Sequence, residues 1–289
     1  MKEMKLTKQV SIILVIVLVS LMTVGTAVFL APRASADVGY AYYSADTSYS
    51  DDDGTVVEQY SFAYDHKEVQ LHRINTTYPE FYNTNNALTN TCANVAGANI
   101  VGFYDRYYDE LIPDSTAGVV RPNGYTYYPM SLNRTQKQAV IDQLYVSMGT
   151  NTVQPGTSQP DFEEGLADYV TSRSRNLSYS SVMTNGVLDQ TKYSAQFAAG
   201  YPVALFLSGY NVTVIMDSNG TISITQYNYT GNHIMVAFGY EIITYYDANN
   251  NVIHSYTLMV VASGSSLVKG YYVLNEGGSV NAAEAVIIS

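Results

Sequence analysis

The chain has one cysteine, no tryptophan and few basic residues. A single cysteine cannot close a disulfide within the chain, so covalent crosslinks do not hold the fold. Only 14 of 289 residues are Lys or Arg against 25 Asp or Glu, which gives a net charge of −11. This acidic balance argues against nucleic acid or an anionic membrane surface as the main partner. With one cysteine and four scattered histidines, we expect neither a metal nor another cofactor.

The first 36 residues have the layout of a secretory signal peptide. Lysines stand within residues 1–9, an apolar run covers Val10–Leu30, and Ala34-Ser35-Ala36 is a small-x-small cleavage site. Cleavage after Ala36 would leave 253 of the 289 residues, with 10 of the Lys and Arg and 24 of the Asp and Glu, for a net charge of −14. We therefore predict a secreted, extracellular protein. The apolar run is long enough to span a bilayer, so an uncleaved anchor at residues 10–30, facing outside, is the alternative.

Residues 37–80 are interpreted as a linker followed by edge strands, and residues 81–289 as one domain. Asp37–Asp53 is rich in Tyr, Ser and Asp, which is typical of a mobile linker. Thr55–Arg73 alternates apolar and polar residues and is predicted to be an edge strand or a hairpin.

The sequence of this domain predicts helices in its first part and strands in its second part. Helical patterns cover residues 92–111, Ser131–Met148, a segment from Asp161, and Gln190–Ala199, which ends at Gly200. Strand patterns then follow one another, separated by Gly, Asn and Asp turns: Tyr201–Leu207, Val212–Met216, Thr221–Tyr227, His233–Tyr240, Glu241–Tyr246, Val252–Ala262, Tyr271–Leu274 and Ala285–Ile288. This order predicts an α+β fold, with helices packed on a C-terminal antiparallel sheet.

Cys92 is predicted to lie in the first turn of a helix. Asn90 and Thr91 precede it as N-cap candidates, and apolar residues recur on one face at three-and-four spacing. The helix dipole and the unpaired N–H groups of a first turn favour an anion, so the pKa of this thiol should be lowered. The thiolate is the reactive form of cysteine, which makes Cys92 a candidate nucleophile.

A thiolate nucleophile needs a group that accepts and returns a proton, and imidazole does this near neutral pH. His233 opens the apolar strand that ends at Tyr240, where a polar ring needs either a partner or a task. A core histidine with a satisfied N–H is the alternative interpretation. His66, His72 and His254 lie in polar segments and are interpreted as ordinary surface residues.

Two residues are candidates for holding the imidazole in place. Asn275 follows a predicted strand and begins a turn, whereas Asp247 lies in the turn before Val252 and has the position of a hairpin residue. We favour Asn275. A peptidase also needs a donor for the oxyanion beside the Cys92 N–H. Asn86 is the preferred side-chain donor, with Asn90 as the alternative. Either residue could instead serve simply as a turn former.

Three stretches of the chain resemble papain-like cysteine peptidases, in particular the secreted bacterial branch related to bacteriocin-leader-processing peptidases, staphopain and streptopain. The stretches are Thr91–Gly97 leading to Gly102–Asp105, Ala199–Leu205, and Gly231–Tyr240 with its Gly-x-His and Gly-Tyr ends. Cys92 and His233 are 141 residues apart, inside the window of that fold. Departures include Asn in place of the usual Gln upstream, Asn232 inserted before the His, and Glu276 where an aromatic residue often follows the Asn.

The resemblance implies a papain-like α+β fold and a cysteine peptidase that hydrolyses peptide bonds through Cys92, His233, Asn275 and Asn86. Small residues at Ala96, Gly97 and Gly102 would let the helix pack closely on the sheet. The expected partner is a peptide or protein substrate, including a cell-wall peptide, and the protein is expected to be a monomer. Two alternatives stay open: an amide hydrolase of the same chemistry acting on peptidoglycan, and a non-catalytic surface or adhesion module that kept the fold.

Overall fold

The computed structural model describes residues 41–43, 55–74, 81–113, 119–120, 126–127, 134–262, 271–273 and 279–289. The predicted signal peptide, anchor and cleavage site, and Asn275, lie outside these residues. Four α-helices occur in the described part: α1 (Cys92–Asp105), α2 (Arg134–Ser147), α3 (Gln159–Ser172) and α4 (Gln190–Ala199). None of them is both long and apolar enough to cross a membrane.

The described strands in chain order are β1 (Tyr42–Tyr43), β2 (Thr55–Ala63), β3 (His66–Arg73), β4 (Val119–Val120), β5 (Thr126–Tyr127), β6 (Thr157–Ser158), β7 (Leu177–Ser181), β8 (Met183–Thr184), β9 (Val187–Leu188), β10 (Val203–Ser218), β11 (Thr221–Tyr246), β12 (Val252–Ala262), β13 (Tyr271–Val273) and β14 (Ser279–Ile288). The pairings between them are antiparallel, and the large sheet has the order β2-β11-β12-β13-β10-β14-β7. The α+β class is therefore confirmed.

The sheet curls until its strands close a ring. β11 pairs with both β10 and β12, and β13 bridges β12 back to β10. β11 itself bends so far that its two ends meet at one corner. There the Tyr64 N–H donates to Gly220 O (2.9 Å) and the Asp65 N–H donates to Tyr246 O (2.8 Å). The corner joins β2 to β3, which pair with opposite ends of β11 and lie at its outer edge, as the edge-strand prediction expected.

Hydrophobic residues form three clusters. The first cluster lies between the sheet and helices α1, α2 and α3, and contains Cys92, Phe206 and Ile234. The second cluster lies on the opposite face against α4, and contains Tyr210 and Met235. The third cluster fills the inside of the curled strands. Alternation along β10 and β11 sends successive side chains to the first and second clusters, which decides where each site residue points.

Helix boundaries follow local chemistry. α3 begins at Gln159 because the Ser158 hydroxyl accepts the Asp161 N–H, two residues before the predicted start. α4 ends as predicted, since Gly200 adopts φ 86° and its N–H closes the last turn. α1 ends at Asp105 rather than at residue 111, because the Asp105 carboxylate accepts the Ile112 N–H at 2.9 Å and turns the chain.

Two strand predictions were wrong in length. β10 runs through the predicted break near Gly209, where φ is 71° and the pairing register shifts by a bulge. β11 likewise replaces three predicted strands, because pairing with β10 holds the Asn-rich stretch 228–232 extended. Gly97 was also misplaced: an added Cβ there would meet Leu144 and Met148 beside α2 rather than the sheet.

Two carboxylates meet between α3 and β14. The Gln159 Nε2 donates to both Glu163 (2.7 Å) and Glu284 (3.3 Å). Burial first, and the neighbouring Glu163 second, raise the pKa of Glu284 to about 7. Between pH 4.5, the ordinary pKa of a glutamate, and pH 7, the folded chain keeps a proton on Glu284 that the unfolded chain has released. The contribution of this carboxyl to stability therefore falls as the pH rises through that range.

We expect Glu284→Gln to remove this penalty. The variant should gain about 1 kcal/mol at pH 8.5, after discounting the shift for partial exposure, and gain nothing at pH 4. Urea unfolding at both pH values measures the difference, with the exposed neighbour Glu164→Gln as the matched control. An equal gain at both pH values would contradict the assignment.

Candidate active site

Cys92 is the first residue of α1 and is only 1 % exposed. Thr91 occupies the N-cap position, but its side chain makes no capping hydrogen bond. Asn90 adopts φ 58° and its Nδ2 donates to Asn151 Oδ1 at 2.7 Å. The predicted helix start is thus confirmed, whereas its predicted side-chain cap is not formed. The sulfur therefore lies at the start of the helix, among the residues of the first cluster.

The start of α1 and the main chain around His233 are both linked to β1. Further along the two elements, Phe103 packs on Phe238, with ring centroids 5.5 Å apart. The link to β1 has two parts: Asn232 Nδ2 donates to the carbonyl of Tyr42, and Cys92 acts electrostatically on Tyr43.

The His233 ring points into the second cluster. Ile234, the next residue, packs in the first cluster beside Cys92, so alternation turns His233 the other way. Its ring stacks on Tyr210 with centroids 5.2 Å apart, and none of the residue is exposed. Burial lowers the pKa of His233 to about 3. The imidazole is therefore expected to be neutral at pH 7.

The other three histidines sit on the outer strands. His66 stacks on Tyr246, His72 stacks on Tyr240, and His254 packs on Phe62, with ring centroids 4.9, 4.4 and 4.4 Å apart. All three are at least partly exposed. Contacts with aromatic neighbours thus explain these three histidines as residues on the surface of the sheet, which agrees with their interpretation as ordinary surface residues.

Asp247 forms the turn between β11 and β12. The Asn251 side-chain amide donates to its Oδ2 at 2.9 Å, and its Oδ1 accepts the backbone N–H groups of Asn249 and Asn251, both at 2.8 Å. These bonds, the one from the Asn251 amide first, lower the pKa of Asp247. Asp247 stands fourteen residues beyond His233, directly after the end of β11, a path along the chain of roughly 45 Å. Asp247 is therefore a turn residue and does not orient His233. Asn275 lies outside the described residues and stays a prediction.

Asn86 is exposed, in a turn whose hydrogen bond joins the Leu88 N–H to Asn85 O at 3.0 Å. Asn90 is tied through Asn151 to the loop after α2, since Asn151 Nδ2 also donates to Tyr145 OH at 2.7 Å. The assignment of Asn86 to the oxyanion stays a prediction.

A two-residue strand ahead of the domain lies against this site. β1 pairs with β6 in antiparallel register, Tyr42 opposite Ser158 and Tyr43 opposite Thr157. Asn232 Nδ2 donates to the Tyr42 carbonyl at 2.9 Å. Asn232 is the residue that departs from the family pattern before His233, and its contact with a peptide carbonyl was not anticipated.

Tyr43 fills a pocket beside Cys92. Only 2 % of Tyr43 is exposed, its ring meets the Phe206 ring edge-on at 5.4 Å, and its hydroxyl accepts Asn281 Nδ2 at 3.2 Å. The Asn281 amide is itself held by the Ser208 hydroxyl at 3.0 Å. Burial raises the pKa of the Tyr43 hydroxyl, and the neighbouring Cys92 adds to the rise. Sequence reasoning placed this tyrosine in a mobile linker. The available signal was the adjacent pair Tyr42-Tyr43, in a segment whose other tyrosines stand singly.

Among the described residues, no three His, Cys, Asp or Glu side chains cluster as metal ligands. What the site offers is a cysteine at a helix start, a buried neutral imidazole, and amide donors that hold an extended backbone. No family model, no curated protein and no solved structure matches the chain.

Proposed function

We propose that the chain is a secreted cysteine peptidase with a papain-like arrangement. The observation that carries this is the placement of Cys92 in the first turn of α1, where β1 links it to the main chain around His233. Cys92 would attack a peptide carbonyl, and His233 would accept the thiol proton and return it to the leaving amine. Asn275 would orient the imidazole, and the Cys92 N–H with the Asn86 amide would stabilise the oxyanion.

The buried imidazole means that the described arrangement is a resting state. A histidine whose pKa is about 3 does not hold a proton at neutral pH. Hydration would return its pKa towards the ordinary value near 6.5, where proton exchange with a thiol is efficient. Activity therefore requires water to reach His233 and the main chain at His233 to rotate, so that the ring leaves the second cluster and approaches the sulfur. Hydrogen bonds of this kind often tighten only once substrate is bound.

The test is the pH dependence of Cys92 alkylation by iodoacetamide between pH 5 and 9. Iodoacetamide reaches the buried sulfur only in the opened form, where the imidazole can pair with the thiolate, so in the wild-type chain we expect the rate to rise with a midpoint below about 7. In His233→Phe the midpoint should move up towards about 8.5, the ordinary thiol value. Phenylalanine keeps a buried aromatic ring that can stack on Tyr210 but has no ring nitrogen. The variant should therefore fold, and a changed midpoint would report the loss of the nitrogen rather than a loss of structure.

Restricted access to the sulfur would scale the rate at every pH without moving the midpoint. A midpoint near 8.5 in both proteins would overturn the proposal. The chain would then be the non-catalytic surface module, with His233 as a core histidine.

A further inference from the structure

We propose that the pocket filled by Tyr43 is a binding site for a tyrosyl side chain carried by an extended peptide, and that the chain's own β1 occupies it. As a substrate site it rests on the proposed function, but as a peptide-binding site it stands on geometry alone. The ligand would be an extended peptide with a tyrosine, and β1 would be its internal competitor.

The pocket recognises both ends of the tyrosine ring. Phe206 presents its ring to the apolar body at 5.4 Å, in the edge-to-face geometry that aromatic pairs prefer. Asn281 Nδ2 donates to the hydroxyl at 3.2 Å, and Ser208 fixes that amide from behind. An apolar wall that ends in a held amide donor suits a phenol better than a purely apolar side chain.

The backbone of β1 is held as a bound peptide is held. It adds to β6 in antiparallel register, which is the usual mode of strand addition. The Asn232 side chain then donates to the Tyr42 carbonyl at 2.9 Å. These contacts use only main-chain groups of β1, so another sequence could replace it as long as it supplies the tyrosine.

β1 is also short enough to be withdrawn without unfolding the rest of the domain. A two-residue strand has almost no stability of its own, so its side-chain contacts keep it in place. Cys92 is 1 % exposed beside Tyr43. Departure of Tyr43 would uncover the wall next to the sulfur and vacate the pocket for a ligand, while the helices and the large sheet stay packed.

The experiment compares the rate of Cys92 alkylation by iodoacetamide at one pH, 8.0, in tyrosine variants of the full chain. Tyr43→Ala should raise the rate at least 10-fold. Tyr42→Ala is the matched control and should change it less than 2-fold, because the backbone carbonyl of Tyr42 makes the contact with Asn232. Tyr43→Phe should raise it about 3-fold, since only the bond to Asn281 is lost.

The second arm adds the peptide acetyl-Ala-Tyr-Tyr-Ser-amide to Tyr43→Ala. It should return the alkylation rate towards the wild-type value in a saturable manner, whereas acetyl-Ala-Tyr-Ala-Ser-amide should not. An unchanged rate in Tyr43→Ala, or no protection by the peptide, would overturn the inference. If Tyr43→Ala does not fold, Asn281→Ala replaces it, with an expected rise of about 3-fold and an unchanged rate as the contrary outcome.

These readouts are separable from the proposed function. Protection needs no turnover and should persist in the Tyr43→Ala, His233→Phe double variant. A peptidase that fails the alkylation-midpoint test could still bind the peptide, and a true peptidase could fail to be protected by it.

Discussion

Replacing Cys92 by alanine or serine should lower peptide hydrolysis at least about 1,000-fold, because removal of a nucleophile eliminates the covalent step. Serine keeps nearly the same volume, but an imidazole that can ionise a thiol does not ionise a hydroxyl as readily. The measurement is the release of new amino termini from denatured casein. It should be run in the wild-type chain and in Tyr43→Ala, so that an occupied pocket does not hide activity.

The control for this loss is the folded state. Cys92 is buried in the first cluster, so both variants should be checked by circular dichroism and urea unfolding. Serine should cost more stability than alanine, because a hydroxyl is introduced among apolar neighbours. Either folded variant retaining more than a tenth of the wild-type hydrolysis would show that Cys92 is not the nucleophile.

Gly165→Ala should destabilise the chain by about 3 kcal/mol. A Cβ at Gly165 would lie 2.6 Å from the N, Cα and Cγ atoms of Met148. Main chain cannot move aside as a side chain can, so α3 would have to separate from the end of α2. The higher helix propensity of alanine returns only about 1 kcal/mol of this cost. Urea unfolding of the two proteins measures the difference.

Gly97→Ala is the matched comparison. Its Cβ would meet the Met148 Cε at 2.8 Å and the Leu144 Cδ1 at 3.2 Å, which are the ends of flexible side chains. These can rotate away, and the gain in propensity offsets most of the cost, so the net change should stay within about 1 kcal/mol. Equal losses in both variants would contradict the distinction between a clash with the Met148 main chain and a clash with the ends of flexible side chains.

Local signals predicted the elements whose boundaries are set locally. The start of α1 at Cys92 and the end of α4 at Gly200 follow from residues within one turn of the boundary. β11 could not be predicted in one piece, because the stretch around Gly231 has turn composition. Only pairing with β10, where Ser208 and Tyr210 lie opposite Asn232 and Tyr229, holds that stretch extended, and these partners lie outside the local window that the turn composition describes.

The candidate site was predicted only in part, because only some of its features are determined by residues that are close in sequence. Cys92 and His233 could be singled out because each stands at the mouth of an apolar element. The direction of the His233 ring depends on strand alternation relative to Ile234, and the role of Asn232 depends on where β1 lies. Neither is encoded near those residues. Tyr43 was missed because its burial is supplied entirely by distant parts of the chain.

The contact between Tyr43 and Asn281 joins residues 238 positions apart. During synthesis the tyrosine emerges early, and the last strand that completes its pocket emerges near the end. The hydroxyl end of the Tyr43 pocket therefore forms only once β14 has paired with β10, so we expect β1 to complete its docking late in folding. A nascent or incomplete chain would pass through a stage in which the Tyr43 pocket is unfinished. Newly made protein should accordingly show its most reactive sulfur in the interval between closure of the sheet and arrival of β1.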